Sequence, residues 1–300
     1  HDREVDFIQC YLGCKNNKGL VAVFYYITYT ITNRFFQLAK NRLQLNNVIG
    51  GTGFAVTTSY LYARGGWTAM SLTEDLETQI EATAEGRRIL WNHNVRIYDE
   101  KPTSWRASFR QRTRWAQGHW FVAFKNTGRM FRSMLKHRIS FSEFFSTILY
   151  MYSLTPYVVL VLQLFLTLVL QIFSWTGLLP PAHAAQGSSA TWIMNIPSII
   201  IFLYANLYLF FYADRVDNGQ RFSFKMALIV MWSMVINYVL IGGAQLLGLM
   251  KHKQQKVWVK TEHKISHEQD ECLHDLYAVK EPAAAEAPRE LDAEQVKIPV

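Results

Sequence analysis

The chain of 300 residues is long enough for one or two globular domains, but its composition is unusually apolar. Half of the residues are hydrophobic and 18% are charged, against about 25% in a typical soluble domain. No Asp, Glu, Lys or Arg occurs in the 70 residues between Glu143 and Asp214, or in the 25 between Lys225 and Lys251. These features exclude a disordered chain, a collagen and a small disulfide scaffold, and they indicate a protein at least partly embedded in a membrane.

The net charge of +8 conceals two oppositely charged parts. Residues 267–300 hold nine acidic and three basic side chains, whereas residues 1–266 carry a net charge of +14. The densest basic block, 101–138, has ten Lys or Arg and no acidic residue. Such a block could bind nucleic acid, anionic lipid or a phosphorylated substrate. Because an apolar segment follows directly, we expect lipid or a phosphorylated substrate, and no nucleic acid.

The first half of the chain begins with a predicted strand, helix and second strand. Clustered apolar residues favour a buried strand over 5–10 and a helix over 20–38. Residues 47–57 predict a loop and a strand. The glycines of this loop either allow a ligand to approach the backbone closely or form a plain hairpin turn.

Two further helices are predicted from capping signals. Thr73 is a favourable N-cap, acidic residues suit the first turn, and a glycine ends the helix after about Glu85. Residues 87–98 predict a short pair of strands or one extended segment. Ser104 then predicts the start of a basic and aromatic helix that ends near Asn126.

The second half predicts an interfacial helix and about three membrane spans, each of roughly 20 residues. The predicted bounds are 141–153 for the interfacial helix, 156–176, 192–212 and 226–250 for the spans, and 177–190 for an uncharged outer loop. Three spans would place the tail opposite to residues 1–140, whereas the lysines after residue 250 favour the same side. Either one apolar segment is a hairpin or lies in the interface, or the tail violates the positive-inside rule.

Two short strings indicate chemistry. Thr73-Glu74-Asp75 by itself is also an ordinary helix start, and Gln111-Arg112-Thr113-Arg114-Trp115 by itself is moderately informative. Their combination, about 36 residues apart and followed by apolar segments, is much more specific.

Residues 1–265 resemble the processive, membrane-embedded glycosyltransferases of family 2, which include cellulose, chitin, hyaluronan and poly-N-acetylglucosamine synthases. The matching features occur in the family's order. They are Gly51-Thr52-Gly53-Phe54, Thr73-Glu74-Asp75, Tyr98-Asp99-Glu100-x-Pro102-Thr103, Gln111-x-x-Arg114-Trp115 and, after the last apolar segment, Trp258-x-x-Thr261.

The resemblance implies a catalytic role for Asp75, as the base that takes the proton of the acceptor hydroxyl. Arg114 would bind the nucleoside diphosphate leaving group, since a guanidinium keeps its charge. Trp115 would stack on the acceptor sugar, and Gln111 would hydrogen-bond the diphosphate or the acceptor. The non-catalytic alternatives are a solvated acidic residue at the helix start at position 75 and interfacial side chains at positions 114 and 115.

Further substrate-binding roles are implied for residues on either side of these strings. Gly51, Thr52 and Gly53 would shape the acceptor pocket, whereas Thr73 and Glu74 would tip a mobile helix that positions the acceptor.

The family's two upstream aspartate motifs have no counterpart here. Asp2 and Asp6 lack the spacing of an Asp-x-Asp that holds the diphosphate and its metal. We therefore expect an N-terminally truncated, by itself inactive chain without metal ligands, whose missing donor half would bind Mg²⁺ or Mn²⁺.

The predicted fold is α/β plus membrane α-helical. The acceptor half of a GT-A glycosyltransferase domain would occupy 1–126, an interfacial amphipathic region 127–153, transmembrane helices 154–250 and a partly disordered tail 251–300.

The predicted activity is that of an inverting hexosyltransferase at the cell membrane, with its catalytic domain in the cytoplasm. It would transfer glucose or N-acetylglucosamine from a UDP-sugar to an exported β-linked polysaccharide. Expected partners are the donor, the polysaccharide acceptor, membrane lipids and unidentified accessory subunits. The alternatives are single-sugar transfer to a lipid and a non-catalytic membrane scaffold.

Overall fold

A three-stranded mixed sheet with helices packed around it forms the part of the chain that the computed structural model describes, residues 5–16, 19–153, 169, 172, 173, 176 and 188–255. The strands are β1 (Val5–Cys14), β2 (Phe54–Val56) and β3 (Arg88–Asp99). The helices are α1 (Leu20–Ile31), α2 (Leu38–Arg42), α3 (Thr58–Ala63), α4 (Glu74–Ala84), α5 (Trp105–Leu135), α6 (Phe141–Met151), α7 (Ser188–Asn218) and α8 (Phe224–Lys251). A π-helical turn, Thr32–Gln37, joins α1 to α2.

The sheet has the order β2-β1-β3, in which β1 pairs antiparallel with β2 and parallel with β3. Of the two alternatives predicted for 87–98, one extended segment is confirmed, because β3 is one continuous strand. Its register against β1 jumps between the pairs Cys10–Asn92 and Tyr11–Arg96. The residues that bulge out between Asn92 and Arg96 present His93 away from the ladder.

Helix α4 is the central layer of the fold, and every residue from Leu76 to Ala84 is buried. Its Leu76 and Ile80 pack with Val122 of α5 and Met151 of α6. Its opposite side contributes Ala82 to the core beneath the sheet. The predicted start at Thr73 and end before Gly86, which has a φ of +84°, are confirmed.

Helix α5 begins where predicted, because the Oγ of Ser104 accepts a hydrogen bond from the backbone N–H of Ala107 at 3.2 Å. It does not end near Asn126 but continues to Leu135, across the predicted boundary between 126 and 127. The reason is that Met130 and Ser133 extend its buried stripe along α4 and α6, and the Ser133 hydroxyl donates to the Ala84 carbonyl at 2.6 Å.

One helix of the described residues, α8, is long and apolar enough to cross a membrane. Core helices of soluble proteins also pass this test, so the finding rests on length and composition alone. The prediction of about three spans is not supported. The segment 192–212 lies within α7, whose first three residues were predicted as loop, and 156–176 falls almost wholly outside the described residues.

Helix α8 packs closely along α5 through small residues. A Cβ atom at Gly248 would come within 2.5 Å of the Ala116 side chain, and one at Gly243 would lie 3.4 Å from Phe109. Further along, Val230 and Met234 of α8 share a core with Phe210 of α7. The apolar helix is therefore in direct contact with the helix that carries the Gln-x-x-Arg-Trp string.

The polar end of α7 is held by a buried carboxylate. The side chain of Asp217 is 2% exposed and accepts from Arg34 at 2.7 Å and from His93 at 3.1 Å. Although burial would raise its pKa, the hydrogen bonds from His93 and Arg34 hold the pKa below its usual range. Arg96 of β3 also donates to the Asp217 carbonyl.

Replacement of this carboxylate should loosen the attachment of α7. We expect Asp217→Asn to lower the free energy of unfolding by about 1–3 kcal/mol, because Arg34 and His93 lose their charged acceptor. Urea unfolding of the purified protein measures this change. Arg215→Gln, an exposed charge on the same turn, should change it by less than about 0.5 kcal/mol. Equal effects of the two variants would contradict a specific role for Asp217.

Candidate active site

The Asp75 carboxylate lies in the first turn of α4, between its own backbone and the glycine loop, residues 50–53. Its Oδ1 accepts the backbone N–H of Leu76 at 2.8 Å. Its Oδ2 faces Gly51, where a Cβ atom would be only 3.0 Å away. Gly51 also has a φ of +75°, which side chains rarely tolerate. The structure therefore brings together two of the predicted site residues that are distant in sequence.

The surroundings of Asp75 favour its protonated form more than water does. Burial raises its pKa to about 6, and the negative charge of the exposed Glu74 contributes to the rise. The Leu76 N–H and the Arg114 guanidinium oppose it. A carboxyl group with such a pKa can accept a proton near neutral pH and release it again.

Helix α5 presents Gln111, Arg114 and Trp115 on one face, because residues three and four apart are neighbours on a helix. The Arg114 guanidinium is close enough to Asp75 to lower the pKa of that carboxyl. The Trp115 ring meets Tyr25 of α1 edge-on, with the ring centroids 6.4 Å apart. The Gln111 Oε1 accepts a hydrogen bond from the Tyr25 hydroxyl at 2.9 Å.

Thr73 joins these two helices by packing rather than by capping. It occupies the N-cap position of α4, but its side chain makes no capping hydrogen bond. Instead it lies against Gly118 of α5, where any Cβ atom would overlap it. The predicted position of Thr73 is thus correct, and the predicted capping function is wrong because the side chain is occupied by α5.

The glycine loop is held by one buried amide of strand β1. Gln9, which is fully buried, donates from Nε2 to the carbonyl oxygens of Thr52 and Gly53 at 2.9 and 3.1 Å. Its Oε1 accepts the Gly50 N–H at 2.9 Å. Gln9 therefore fixes the backbone that borders Asp75, and Thr52 contributes a carbonyl oxygen to this contact.

A buried carboxylate holds the loop that leads into α4. Glu77 accepts the backbone N–H groups of Met70 and Ser71 at 3.0 and 2.9 Å, and it pairs with Lys125 of α5. Burial alone would raise its pKa, but the Lys125 and Ser71 hydrogen bonds hold it below the usual range.

The same loop is also tied to the end of α8. The Gln255 Oε1 accepts the Leu72 N–H at 2.9 Å. From α5, the Gln117 Nε2 donates to the carbonyl oxygens of Lys251 and Gln254 at 3.0 and 2.9 Å. Gln117 thereby satisfies a backbone carbonyl that the end of α8 leaves unpaired.

The Tyr98-to-Thr103 turn contains a buried lysine. Lys101 is 5% exposed, pairs with Asp99 at 2.5 Å and lies 3.8 Å from the centre of the Tyr29 ring. Asn16 fastens the turn by hydrogen bonds to both backbone groups of Lys101. The remaining predicted feature, Trp258 to Thr261, lies outside the described residues.

Several of these residues had no role in the sequence interpretation: Tyr25, Glu77, Gln117, Gly118 and Gln255. Gly118 carried a usable signal, since a glycine inside a helix costs about 1 kcal/mol and requires a reason. The other four gave none, because their partners are distant in sequence.

Within the described residues, no three His, Cys, Asp or Glu side chains converge on a cation site. The acidic neighbour of Asp75 in sequence, Glu74, is exposed to solvent. These residues do not fit a divalent metal. The location of metal ligands upstream stays a prediction.

Comparisons with known proteins identify the family. A family model described as "Glycosyl transferase family group 2" matches residues 1–212. A similar protein, "Probable glycosyltransferase YdaM" of Bacillus subtilis (strain 168), is 34% identical over 97 residues, 32% of this chain and 23% of the relative. The chain thus aligns with about a quarter of that relative's length. Because the family model covers more than half of the chain, the protein belongs to glycosyl transferase family group 2.

Proposed function

We propose that the protein is an inverting hexosyltransferase that transfers a sugar from a UDP-sugar to a growing β-linked polysaccharide at the membrane. Membership of a glycosyltransferase family supports sugar transfer. The observation that carries the finer proposal is the Asp75 carboxylate beside Gly51 and within the field of Arg114. Glucose and N-acetylglucosamine are the sugars that the resemblance favours.

In the proposed reaction the acceptor hydroxyl oxygen attacks the anomeric carbon. Its proton passes to the Asp75 carboxylate as the new C–O bond forms, which is general base catalysis. The bond from the anomeric carbon to the diphosphate oxygen breaks, and the nucleoside diphosphate departs with both electrons. Attack opposite to the leaving group inverts the configuration.

The residues of α5 would receive the charged and the apolar parts of the substrates. Arg114 stabilises the negative charge that develops on the diphosphate, because a fixed guanidinium needs no reorganisation. Trp115 offers an indole face to the acceptor sugar, and Gln111 hydrogen-bonds the diphosphate or the acceptor. Thr73 and Glu74, at the start of α4, position Asp75 and through it the acceptor.

Membrane attachment and export complete the proposal. Helix α8 packs along α5 and ends beside the loop before Asp75, so a membrane-spanning α8 would place the reaction at the membrane surface, and we expect this to be the cytoplasmic side. Members of family 2 commonly use a divalent cation, and we expect its ligands outside the described residues. Product size separates this proposal from single-sugar transfer to a lipid, since a polymerase yields chains of many sugars.

Loss of the proposed base should stop transfer without unfolding the protein. We expect Asp75→Asn to lower the rate at least about 100-fold, because a positioned base contributes about 10²–10⁴-fold. Product formation from radiolabelled UDP-sugar, in the full-length protein, measures the effect. The thermal unfolding midpoint should not fall. Wild-type rates in this variant would refute the assignment and favour a scaffold.

The rate should depend on pH through the same group. Because the pKa of Asp75 is raised to about 6, kcat/KM should fall as the pH drops below 6 and the base becomes protonated. Arg114→Lys keeps a positive charge and should leave the pH at which kcat/KM is half-maximal nearly unchanged. Arg114→Ala should move this pH to a higher value. An unchanged pH of half-maximal kcat/KM in Arg114→Ala would contradict the coupling of the two charges.

Arg114 should also determine how tightly the leaving group binds. We expect Arg114→Ala to weaken UDP binding by about 10- to 100-fold, the value of one hydrogen-bonded charge. Arg110→Ala removes an exposed guanidinium one turn earlier and is the matched control, with unchanged affinity. Isothermal titration with UDP measures both. Equal losses would mean that only the net positive charge of the helix matters.

A further inference from the structure

Four side chains of α1 and α5 form a connected hydrogen-bond chain that ends on Gln111. The Arg112 Nε donates to the Ser108 Oγ at 3.4 Å. The Ser108 Oγ and the Tyr25 hydroxyl lie 3.0 Å apart. Tyr25 in turn donates to the Gln111 Oε1 at 2.9 Å.

The two hydroxyl groups in the middle are among the most buried polar groups of the fold. Both Tyr25 and Ser108 are 1% exposed, so water does not complete their hydrogen bonding. The Arg112 guanidinium lies 4.6 Å from the centres of the Phe24 and Tyr25 rings. This cation–π arrangement fixes the donor end of the chain.

Which groups donate and which accept in this hydrogen-bond chain follows from the chemistry of its two end residues, Arg112 and Gln111. Arg112 can only donate, because a guanidinium has no acceptor. It donates to the Ser108 Oγ, the Ser108 hydroxyl donates its own proton to the Tyr25 oxygen 3.0 Å away, and the Tyr25 hydroxyl donates to Gln111. The Gln111 Oε1 is the group in this chain that can only accept. The amide oxygen of Gln111 is therefore turned toward Tyr25, which leaves its NH₂ group to donate to other partners.

We propose that Tyr25 is a positioning residue that makes Gln111 a hydrogen-bond donor toward the diphosphate of the sugar donor. Diphosphate oxygens are acceptors near neutral pH. If the NH₂ group of Gln111 faced Tyr25, its amide oxygen, which is also an acceptor, would face them instead. This inference rests on the proposed function, and it narrows the role of Gln111 from diphosphate or acceptor to the diphosphate. Arg112 acts through Tyr25 and Ser108, and does not contact the substrate.

The first test compares two tyrosine variants that each remove one hydroxyl from α1. Tyr25→Phe should weaken UDP binding to the full-length protein by about 3- to 10-fold, the value of one hydrogen bond. Tyr26→Phe is the matched control, because its hydroxyl contacts Asp214 and Asn218 at the end of α7. We expect unchanged UDP affinity in this control. An unchanged affinity in Tyr25→Phe would overturn the proposal.

A double-mutant cycle tests whether Tyr25 acts through Gln111. Gln111→Ala should weaken UDP binding, and Tyr25→Phe should add nothing in that background, since neighbours in one network are not additive. Independent, additive losses would overturn the positioning role. The KM for the UDP-sugar should rise in Tyr25→Phe, and the pH profile set by Asp75 should stay in place.

A third arm tests the orientation without any ligand. If Tyr25 donates to position 111, the carboxylate of Gln111→Glu accepts the same bond, and the thermal midpoint stays near that of the wild type. Gln111→Ala and Tyr25→Phe should lower it by about 2–4 °C. A Gln111→Glu midpoint as low as that of Gln111→Ala would reverse the orientation and overturn the inference.

The three arms separate failure of this inference from failure of the proposed function. Unchanged UDP affinity in Gln111→Ala, together with a wild-type midpoint in Gln111→Glu, would uphold the orientation and refute the diphosphate role. Weakened binding in Gln111→Ala with full binding in Tyr25→Phe would uphold the diphosphate role and refute the positioning by Tyr25.

Discussion

The contact between the Thr73 side chain and Gly118 sets the separation of α4 and α5 at the point where the site lies. Any side chain at position 118 would have to displace the residue that begins α4. Since protein interiors are close-packed, such a displacement would be transmitted to Asp75 two residues later. The electrostatic contact of Asp75 with Arg114 depends on the same separation, because the effect of one charge on another falls with distance.

Around this contact, buried amide and carboxylate side chains form hydrogen bonds with the backbone of loops. In a larger sheet, neighbouring strands would form such bonds. Gln37, in the π-helical turn, donates one hydrogen bond to the backbone of Val48 and accepts one from it, at 2.8 and 3.0 Å, as a neighbouring strand would. Gln9 and Glu77 hold the glycine loop and the loop before α4 in the same way. Each of these side chains satisfies backbone groups that burial would otherwise leave unpaired.

Local signals in the sequence predicted local structure well. The serine cap at the start of α5 and the glycine after α4 were interpreted correctly, because their chemistry acts on the adjacent backbone. The end of α5 was not predictable in this way, since what continues the helix beyond Asn126 is burial against α4 and α6. Hydropathy likewise identified the apolar residues of α7 and α8, but it cannot tell helix packing from membrane insertion.

The candidate site was predictable as a set of residues and not as an arrangement. The strings containing Asp75 and Arg114 were recognised, and the structure places the two charges within each other's influence. The residues that hold them in place act across the fold: Gln9 on the glycine loop, Tyr25 on Gln111, and Gln255 on Leu72. Single-sequence patterns do not report such pairings, because neither partner has an unusual local context.

The bond between Gln255 and Leu72 has a consequence for the order in which the protein is made. The two residues are 183 positions apart in the chain, and a ribosome adds about 5–20 residues per second. Roughly ten seconds or more therefore pass after Leu72 is synthesised before its acceptor exists. Within that interval the residues of α4, β3 and α5 are synthesised, yet the loop before Asp75 still lacks its hydrogen bond to Gln255. The nascent protein thus completes the loop before Asp75 only once its apolar helix α8 has been produced.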